Sequence, residues 1–204
     1  MSAGPVKGVA ALKRMLWEEN PVIGQILGIC SALAVTNLVK NTLVMCLGLI
    51  FTLMMSCFTV SLLRNVIPRQ VRMIIQVLVI AAYVIVIKII LDAYLPEISN
   101  ELGPYVGLII TNCIVMGRTE GYAMNNKPVD AILDGIGAGI GYSLVLLPIA
   151  MIREPLGLGT FFGMQLLPTD WTRWNMMVIA PSGFFALATY IWLVRAFKAG
   201  EGKR

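Results

Sequence analysis

The sequence predicts an all-α integral membrane protein with six transmembrane helices, arranged as two inverted three-helix repeats whose first and fourth helices are short or broken. The first observation is composition: 58% of the 204 residues are hydrophobic and 13% are charged, whereas a soluble domain carries roughly 25% charged residues. The mean hydropathy of +0.81 agrees with this. The second observation is that the apolar residues fall into six runs, and the third is a pattern that recurs in both halves of the chain.

Residues 1–20 precede the first apolar run and are expected to form an interfacial segment. A short amphipathic helix there would place four apolar side chains on one side: Val9, Leu12, Met15 and Leu16. The segment has neither an uninterrupted apolar core nor a small-residue cleavage site, so we expect no cleavable signal.

The six apolar runs are the predicted membrane segments. They lie at 21–37, 42–63, 71–95, 104–118, 131–152 and 175–195. A helical span needs roughly 20 apolar residues, so the second, third, fifth and sixth runs are long enough and the other two are short. Proline and glycine also interrupt the two short runs, at Pro21, Gly24 and Gly28 in the first and at Pro104, Gly107 and Gly117 in the fourth.

The basic residues predict the orientation, because loops retained in the cytoplasm carry the excess of Lys and Arg. If all six segments cross, both termini and the loops after segments two and four share one side. The net charge of +5 is then explained by a membrane protein rather than by nucleic-acid binding. Both termini are predicted to be cytoplasmic, since their side holds twelve basic residues and the other side three: Lys7, Lys13, Arg14, Arg64, Arg69, Arg72, Arg118, Lys127, Arg195, Lys198, Lys203 and Arg204, against Lys40, Arg153 and Arg173.

The two short segments are related by an internal repeat. Three crossings per half place the second copy in the opposite direction, which is the inverted arrangement known from transporters with broken helices near the midplane. We therefore divide a single membrane domain into a first repeat at 21–102 and a second at 103–204. A shift of 83 residues aligns Pro21 with Pro104, Gly24 with Gly107, Cys30 with Cys113, Thr36 with Thr119, and Ala34 with Gly117.

The repeat places two cysteines at equal depth. Cys30 follows Pro21 by nine positions, and Cys113 follows Pro104 by nine. Nine helical residues cover roughly 13–14 Å, which is about half of a bilayer core, so both thiols are expected near the membrane centre. The residues 28–32 and 111–114 around them are predicted helix breaks, tolerable at that depth only beside protein or a cofactor.

Two interpretations of the cysteines compete. A free cysteine in a membrane helix is usually a small packing residue, which suits Cys46 and Cys57 because they have no repeat partners. For Cys30 and Cys113 the repeat favours metal ligation, since two thiolates in hydrocarbon need positive charge nearby. The chain has no histidine, which excludes imidazole sites, and two sulfurs do not complete a [2Fe–2S] cluster. The other two ligands must then come from another chain.

Four stretches carry a resemblance to a known family, the NqrD family of the sodium-pumping NADH:quinone oxidoreductase, Nqr. Its sister family is RnfE of the Rnf complex, and Ser31-Ala32 after the first cysteine favours Nqr. The resemblance covers nearly the whole chain and is most specific around both cysteines. The stretches are Glu19-Asn20-Pro21, Leu27 to Thr36, Gly107 to Arg118, and Asp134-Gly135-Ile136-Gly137.

The resemblance implies a six-helix subunit that pairs with its homologue, NqrE, in opposite orientation. Together the two chains would hold an intramembrane [2Fe–2S] cluster, with Cys30 and Cys113 as the ligands from this chain. Electrons from NADH would arrive through NqrF and continue to the FMN of NqrC, then through NqrB to quinone, coupled to Na⁺ export.

The resemblance also implies where the other cofactors and partners lie. FAD, FMN, riboflavin and NADH would bind only to other subunits, and this sequence has no Rossmann glycine fingerprint. The expected partners are the sister chain NqrE, the other Nqr subunits (NqrA, NqrB, NqrC and NqrF), membrane lipid, and, for the complex, Na⁺ and ubiquinone; nucleic acid is not expected. The location would be the bacterial cytoplasmic (inner) membrane, and no activity is expected from the isolated chain.

Other polar residues give weaker predictions. Asp134 is a candidate for a sodium path, because intramembrane carboxylates often serve ions, or else an interfacial residue near a helix N-terminus. Thr111 and Asn112 either donate hydrogen bonds to cluster sulfurs or satisfy the backbone at the break. Arg118 is expected to anchor its half-helix at the cytoplasmic interface, and the glycines of Gly135 to Gly141 to permit close helix packing.

Two other functions remain open from the sequence. One is the Rnf counterpart, which exchanges electrons between ferredoxin and NAD. The other is a metal-free secondary transporter, which also uses inverted repeats and broken helices. Matched midplane thiols favour a redox protein over a transporter or a structural scaffold.

Overall fold

A computed structural model describes residues 21–68, 70–94, 103, 105, 107–161, 164, 165 and 179–201. The predicted interfacial segment at 1–20 lies outside these residues, as does the start of the sixth apolar run. The described helices follow the predicted order, and their bounds differ from the apolar runs by several residues.

The first apolar run is broken, as predicted. Helix α1 spans Pro21–Gln25 and helix α2 spans Ile29–Val35. Between them, Ile26 has a φ of 56° and Gly28 a φ of 88°, both left-handed. The Leu27 N–H donates to the Pro21 carbonyl at 3.1 Å, which closes the end of α1. A second helix therefore begins one residue before Cys30.

Two long helices follow. Helix α3 spans Val39–Leu63 and helix α4 spans Arg72–Tyr94. The buried residues of α4 recur at helical spacing on one face: Gln76, Ile80, Val84 and Ile87. Its other face is apolar and exposed, with Ile74 at 70% and Leu78 at 68%. An outer face of this kind suits contact with hydrocarbon rather than water.

The fourth apolar run is broken as well. Residues 107–110 are helical, Thr111 and Asn112 form the break, and helix α5 spans Cys113–Arg118. The Asn112 side chain accepts a hydrogen bond from the Ile114 N–H at 3.1 Å and so caps α5. A π-helix follows at Thr119–Ala123. This form is rare in proteins overall, but where it occurs it is often at a functional site.

Helix α6 spans Pro128–Gly157 and packs most extensively against α3. Its glycines permit this approach, as the sequence predicts. A Cβ atom on Gly139 would lie 2.7 Å from Ile50 Cγ1, and one on Gly135 would lie 3.1 Å from the Leu53 carbonyl oxygen. The backbones of α3 and α6 therefore meet without intervening side chains.

The residues described after α6 form a short hairpin and helix α7, at Ala180–Glu201. Strand β1 (Thr160–Phe161) pairs antiparallel with β2 (Met164–Gln165), with Thr160 opposite Gln165. The all-α prediction omits this hairpin, which follows the left-handed Gly159 (φ 70°) at the end of α6. A pairing of two residues per strand leaves no periodicity that a sequence pattern would show.

Three of the described helices, α3, α4 and α6, are long and apolar enough to cross a membrane. The described part of the fold is thus helical apart from the hairpin. The six-span inverted arrangement stays a prediction. The core lies where α3, α5 and α6 meet, around fully buried Leu49, Leu53, Ile114, Tyr142 and Leu146.

Candidate metal centre at the two helix breaks

The two helix breaks lie against each other. The Gly28 N–H donates a hydrogen bond to the Cys113 Sγ at 2.8 Å, across 85 residues of sequence. Cys30 lies two positions after Gly28 and is exposed, while Cys113 is half-buried. The fold therefore brings the first predicted ligand tract into contact with the second ligand.

Gly28 is required at this contact for two reasons. Its φ of 88° is left-handed, a conformation that costs other L-residues roughly 1–2 kcal/mol. A Cβ atom there would also lie 2.7 Å from Ile114 Cδ1 and 3.0 Å from Tyr142 Cε2. Because the chain leaves helical geometry here, the amide is free of the helical ladder and donates to the sulfur instead.

Ser31 joins the two breaks to helix α6. The Tyr142 hydroxyl donates to Ser31 Oγ at 2.6 Å, and Asn112 Nδ2 donates to the same atom at 3.1 Å. Ser31 in turn donates to the Gly28 carbonyl at 3.0 Å. These three side chains are at most 4% exposed, so the network is shielded from water.

Sequence reasoning did not assign Ser31 or Tyr142 to the site. Ser31 directly follows Cys30 in the motif, a local signal that marks the family and the helix break but does not indicate a contact with Tyr142. Tyr142 lies more than a hundred positions from Ser31, and nothing in its sequence surroundings indicates the contact. Only the packing of α6 against the first break reveals it.

The structure gives Asn112 a backbone role. Its Oδ1 caps α5 and its Nδ2 donates to Ser31, so both ends of the amide are engaged away from the sulfurs. This matches the second of the two roles that the sequence left open. Thr111 lies in the turn with an exposed side chain. A contribution of either residue to a cluster stays a prediction.

The other two cysteines lie in the core of α3. Cys46 is 3% exposed and Cys57 is fully buried, and both belong to the hydrophobic core. This agrees with their interpretation as packing residues. In the described part of the chain, no group of three or more His, Cys, Asp or Glu side chains is placed to hold a metal ion.

Asp134 and Arg118, separate predictions from the sequence, form one buried ion pair. Arg118 Nε donates to Asp134 Oδ2 at 2.9 Å, and an Arg118 terminal nitrogen contacts Asp134 Oδ1. The residues are 8% and 3% exposed. The Arg118 guanidinium also lies over the Tyr122 ring, 5.7 Å from its centroid. A cation approaching Asp134 would therefore compete with Arg118.

A second ion pair involves Glu120, which lies two residues after Arg118 in the π-helix. Glu120 pairs with Arg72 of α4, and Gln76 Nε2 donates to Glu120 Oε2 at 2.8 Å. Near the opposite end of the fold, Glu154 Oε2 accepts the Val39 N–H at 2.6 Å and so caps α3. These contacts connect α4 to the π-helix and α3 to α6.

Comparison with known proteins identifies the family. A family model described as Rnf-Nqr subunit, membrane protein, matches residues 9–191 and so includes both helix breaks. The chain belongs to the Rnf-Nqr family. This confirms the resemblance carried by the two cysteine motifs.

Curated relatives within the Rnf-Nqr family point the same way. The D-type subunit of the Na⁺-translocating NADH-quinone reductase of Yersinia enterocolitica is 47% identical over 191 residues, covering 91% of each chain. The proteins of that name from Yersinia pestis and Yersinia pseudotuberculosis are each 46% identical over the same share. Within the family, the chain is thus similar to subunits of an oxidoreductase complex that moves sodium.

Proposed function

We propose that this Rnf-Nqr family chain is the NqrD component of a sodium-translocating NADH:quinone oxidoreductase, and that it holds half of an intramembrane [2Fe–2S] site. The Yersinia relatives are named as subunits of a Na⁺-translocating reductase, and the match covers 91% of their length. This similarity supports Nqr over Rnf. NqrE, the inverted sister chain, would hold the other half.

The observation that carries the proposal is the contact of the two breaks. The Gly28 N–H reaches Cys113 Sγ at 2.8 Å, so the peptide just before Cys30 lies against the sulfur of the second motif. Cysteines that only filled space would be buried in the core, as Cys46 and Cys57 are. Cys30 is exposed and Cys113 half-buried, which leaves these thiols accessible to a partner chain.

The donor set fits a shared cluster. Two thiolates from this chain and two from NqrE would supply the four sulfurs that a [2Fe–2S] cluster needs. A backbone N–H already donates to one of the sulfurs, as is common around such centres. A cluster held there would take up and release one electron at a time.

The chain would then lie between an electron donor, NqrF, and an electron acceptor, the FMN of NqrC. With both termini in the cytoplasm, its breaks would sit near the centre of the bacterial inner membrane. The complex would reduce ubiquinone and export Na⁺, with NqrA and NqrB as further partners.

Cysteine variants test the cluster. This chain is co-expressed with NqrE, the pair is purified, and iron, sulfide and the EPR signal after reduction are measured. Cys30→Ala and Cys113→Ala are each expected to remove the signal and most of the iron, because three cysteines do not complete the site. Cys46→Ala and Cys57→Ala are the matched controls, expected to retain both.

An iron-free wild-type pair would contradict the cluster. So would Cys30→Ala and Cys113→Ala pairs that keep wild-type iron. Loss of iron in all four variants would indicate general misfolding of the pair. Quinone reduction by the whole complex then separates ligand loss from misfolding. Only Cys30→Ala and Cys113→Ala should abolish quinone reduction in complexes that assemble like the wild type.

A further inference from the structure

We propose that Tyr142 and Ser31 are positioning residues that hold the Gly28 N–H against Cys113 Sγ and thereby set the redox potential of the cluster. This inference rests on the proposed function. It adds residues outside the set of cysteine ligands and assigns them a measurable effect on the site.

The geometry forms a continuous chain of contacts. The Tyr142 hydroxyl donates to Ser31 Oγ at 2.6 Å, and the Ser31 hydroxyl donates to the Gly28 carbonyl at 3.0 Å. The amide of the same Gly28 donates to Cys113 Sγ at 2.8 Å. Gly28 is thus held through its carbonyl while its N–H points at the sulfur.

The Tyr142 ring adds a steric limit on the other side of Gly28. A Cβ atom placed on Gly28 would lie 3.0 Å from Tyr142 Cε2, so the ring packs directly against the backbone of the break. Tyr142 is fully buried and belongs to α6, which packs tightly on α3. The break, which has few helical hydrogen bonds of its own, is therefore held against a helix that is itself packed on α3.

Holding this amide has an electrostatic consequence. Reduction adds negative charge that is shared by the cluster sulfurs, and an N–H donor stabilises that charge in a site with little water. A well-aligned donor therefore raises the potential, and a displaced one lowers it. Tyr142 and Ser31 are not ligands and contact the break through Gly28 and through Asn112, which precedes Cys113. Their loss should therefore change the potential and leave the ligands in place.

The test is the Tyr142→Phe variant in the purified complex. The substitution removes one hydroxyl and retains the ring. We expect wild-type iron content, a lowered cluster midpoint potential, and a roughly two- to tenfold shift of the redox equilibrium towards the oxidised state, the size of one hydrogen bond. Redox titration followed by EPR measures it.

Tyr83→Phe is the matched control. This substitution also removes a tyrosine hydroxyl that is hydrogen-bonded to a side-chain hydroxyl, here that of Thr59 at 2.7 Å. Tyr83 lies on α4 and not at the break. We expect its cluster potential and EPR signal to equal those of the wild type.

The outcomes separate this inference from the proposed function. A wild-type complex without iron at this site overturns both. A Tyr142→Phe cluster with the wild-type potential overturns the positioning role alone, and so does loss of the cluster from an assembled Tyr142→Phe complex. If Tyr142→Phe does not assemble, Ser31→Ala removes the same connection, and an unchanged potential in it again overturns the inference.

Discussion

At the scale of single residues, the fold gives one glycine a role that no other residue can fill. Gly28 combines a left-handed φ of 88° with contacts on both sides, and its amide meets the sulfur of a predicted ligand. The sequence motif around Cys30 contains this glycine, but the motif does not indicate which atom accepts a hydrogen bond from the Gly28 N–H.

The Gly28→Ala variant is expected to weaken the centre. The left-handed backbone costs roughly 1–2 kcal/mol with a Cβ atom, and the contact with Ile114 adds strain. We expect lower thermal stability of the complex and reduced iron content. Gly24→Ala is the control, since a Cβ atom there meets nothing within 4 Å. Equal stability and iron in the two variants would contradict the assignment.

The ion pair of Asp134 with Arg118 allows an effect on stability to be distinguished from an effect on Na⁺ binding. Breaking a buried pair costs roughly 3–5 kcal/mol, so Asp134→Asn and Arg118→Gln should both lower the melting temperature of the complex. If Asp134 also serves sodium, only Asp134→Asn should raise the Na⁺ concentration for half-maximal turnover. Asp130→Asn, one turn earlier on α6, is the control; an unchanged half-saturation in Asp134→Asn removes that residue from the ion path.

At the scale of elements, the packing of α3 on α6 supports the centre. Glycines on α6 let the two backbones meet, and the same helix carries Tyr142 to the first break. The run of glycines on α6 predicts close helix packing. It does not predict that α3 is the partner helix or that Tyr142 lies at the first break. Spacing along one helix defines its small face but not what lies opposite.

Gly139→Ala should loosen this helix pair. The added Cβ atom would lie 2.7 Å from Ile50 Cγ1, and overpacking of this kind costs typically 1–3 kcal/mol. We expect a lower melting temperature, measured on the purified complex in detergent. Gly107→Ala, where a Cβ atom would meet nothing within 4 Å, should have a much smaller effect. The reverse order would contradict the close-packing role.

At the scale of the whole molecule, the orientation rests on the distribution of basic residues. A green fluorescent protein fused after Arg204 should fluoresce, because it folds only in the cytoplasm, while an alkaline phosphatase fused after residue 100 should be active, because that loop is predicted to be outside. Two inactive reporters would indicate the reversed orientation. One active and one inactive reporter would place residue 100 and the C-terminus on the same side and contradict the six crossings.

The sequence by itself determined the membrane class, the order of the helices, the two breaks and the pair of matched cysteines, since each depends on hydropathy or on spacing along the chain. Only the tertiary structure decided what surrounds those cysteines. Gly28 meets Cys113 across 85 residues, Tyr142 reaches Ser31, and Arg118 neutralises Asp134. These contacts depend on which helix faces join, and periodicity within one helix carries no information about the face that another helix presents.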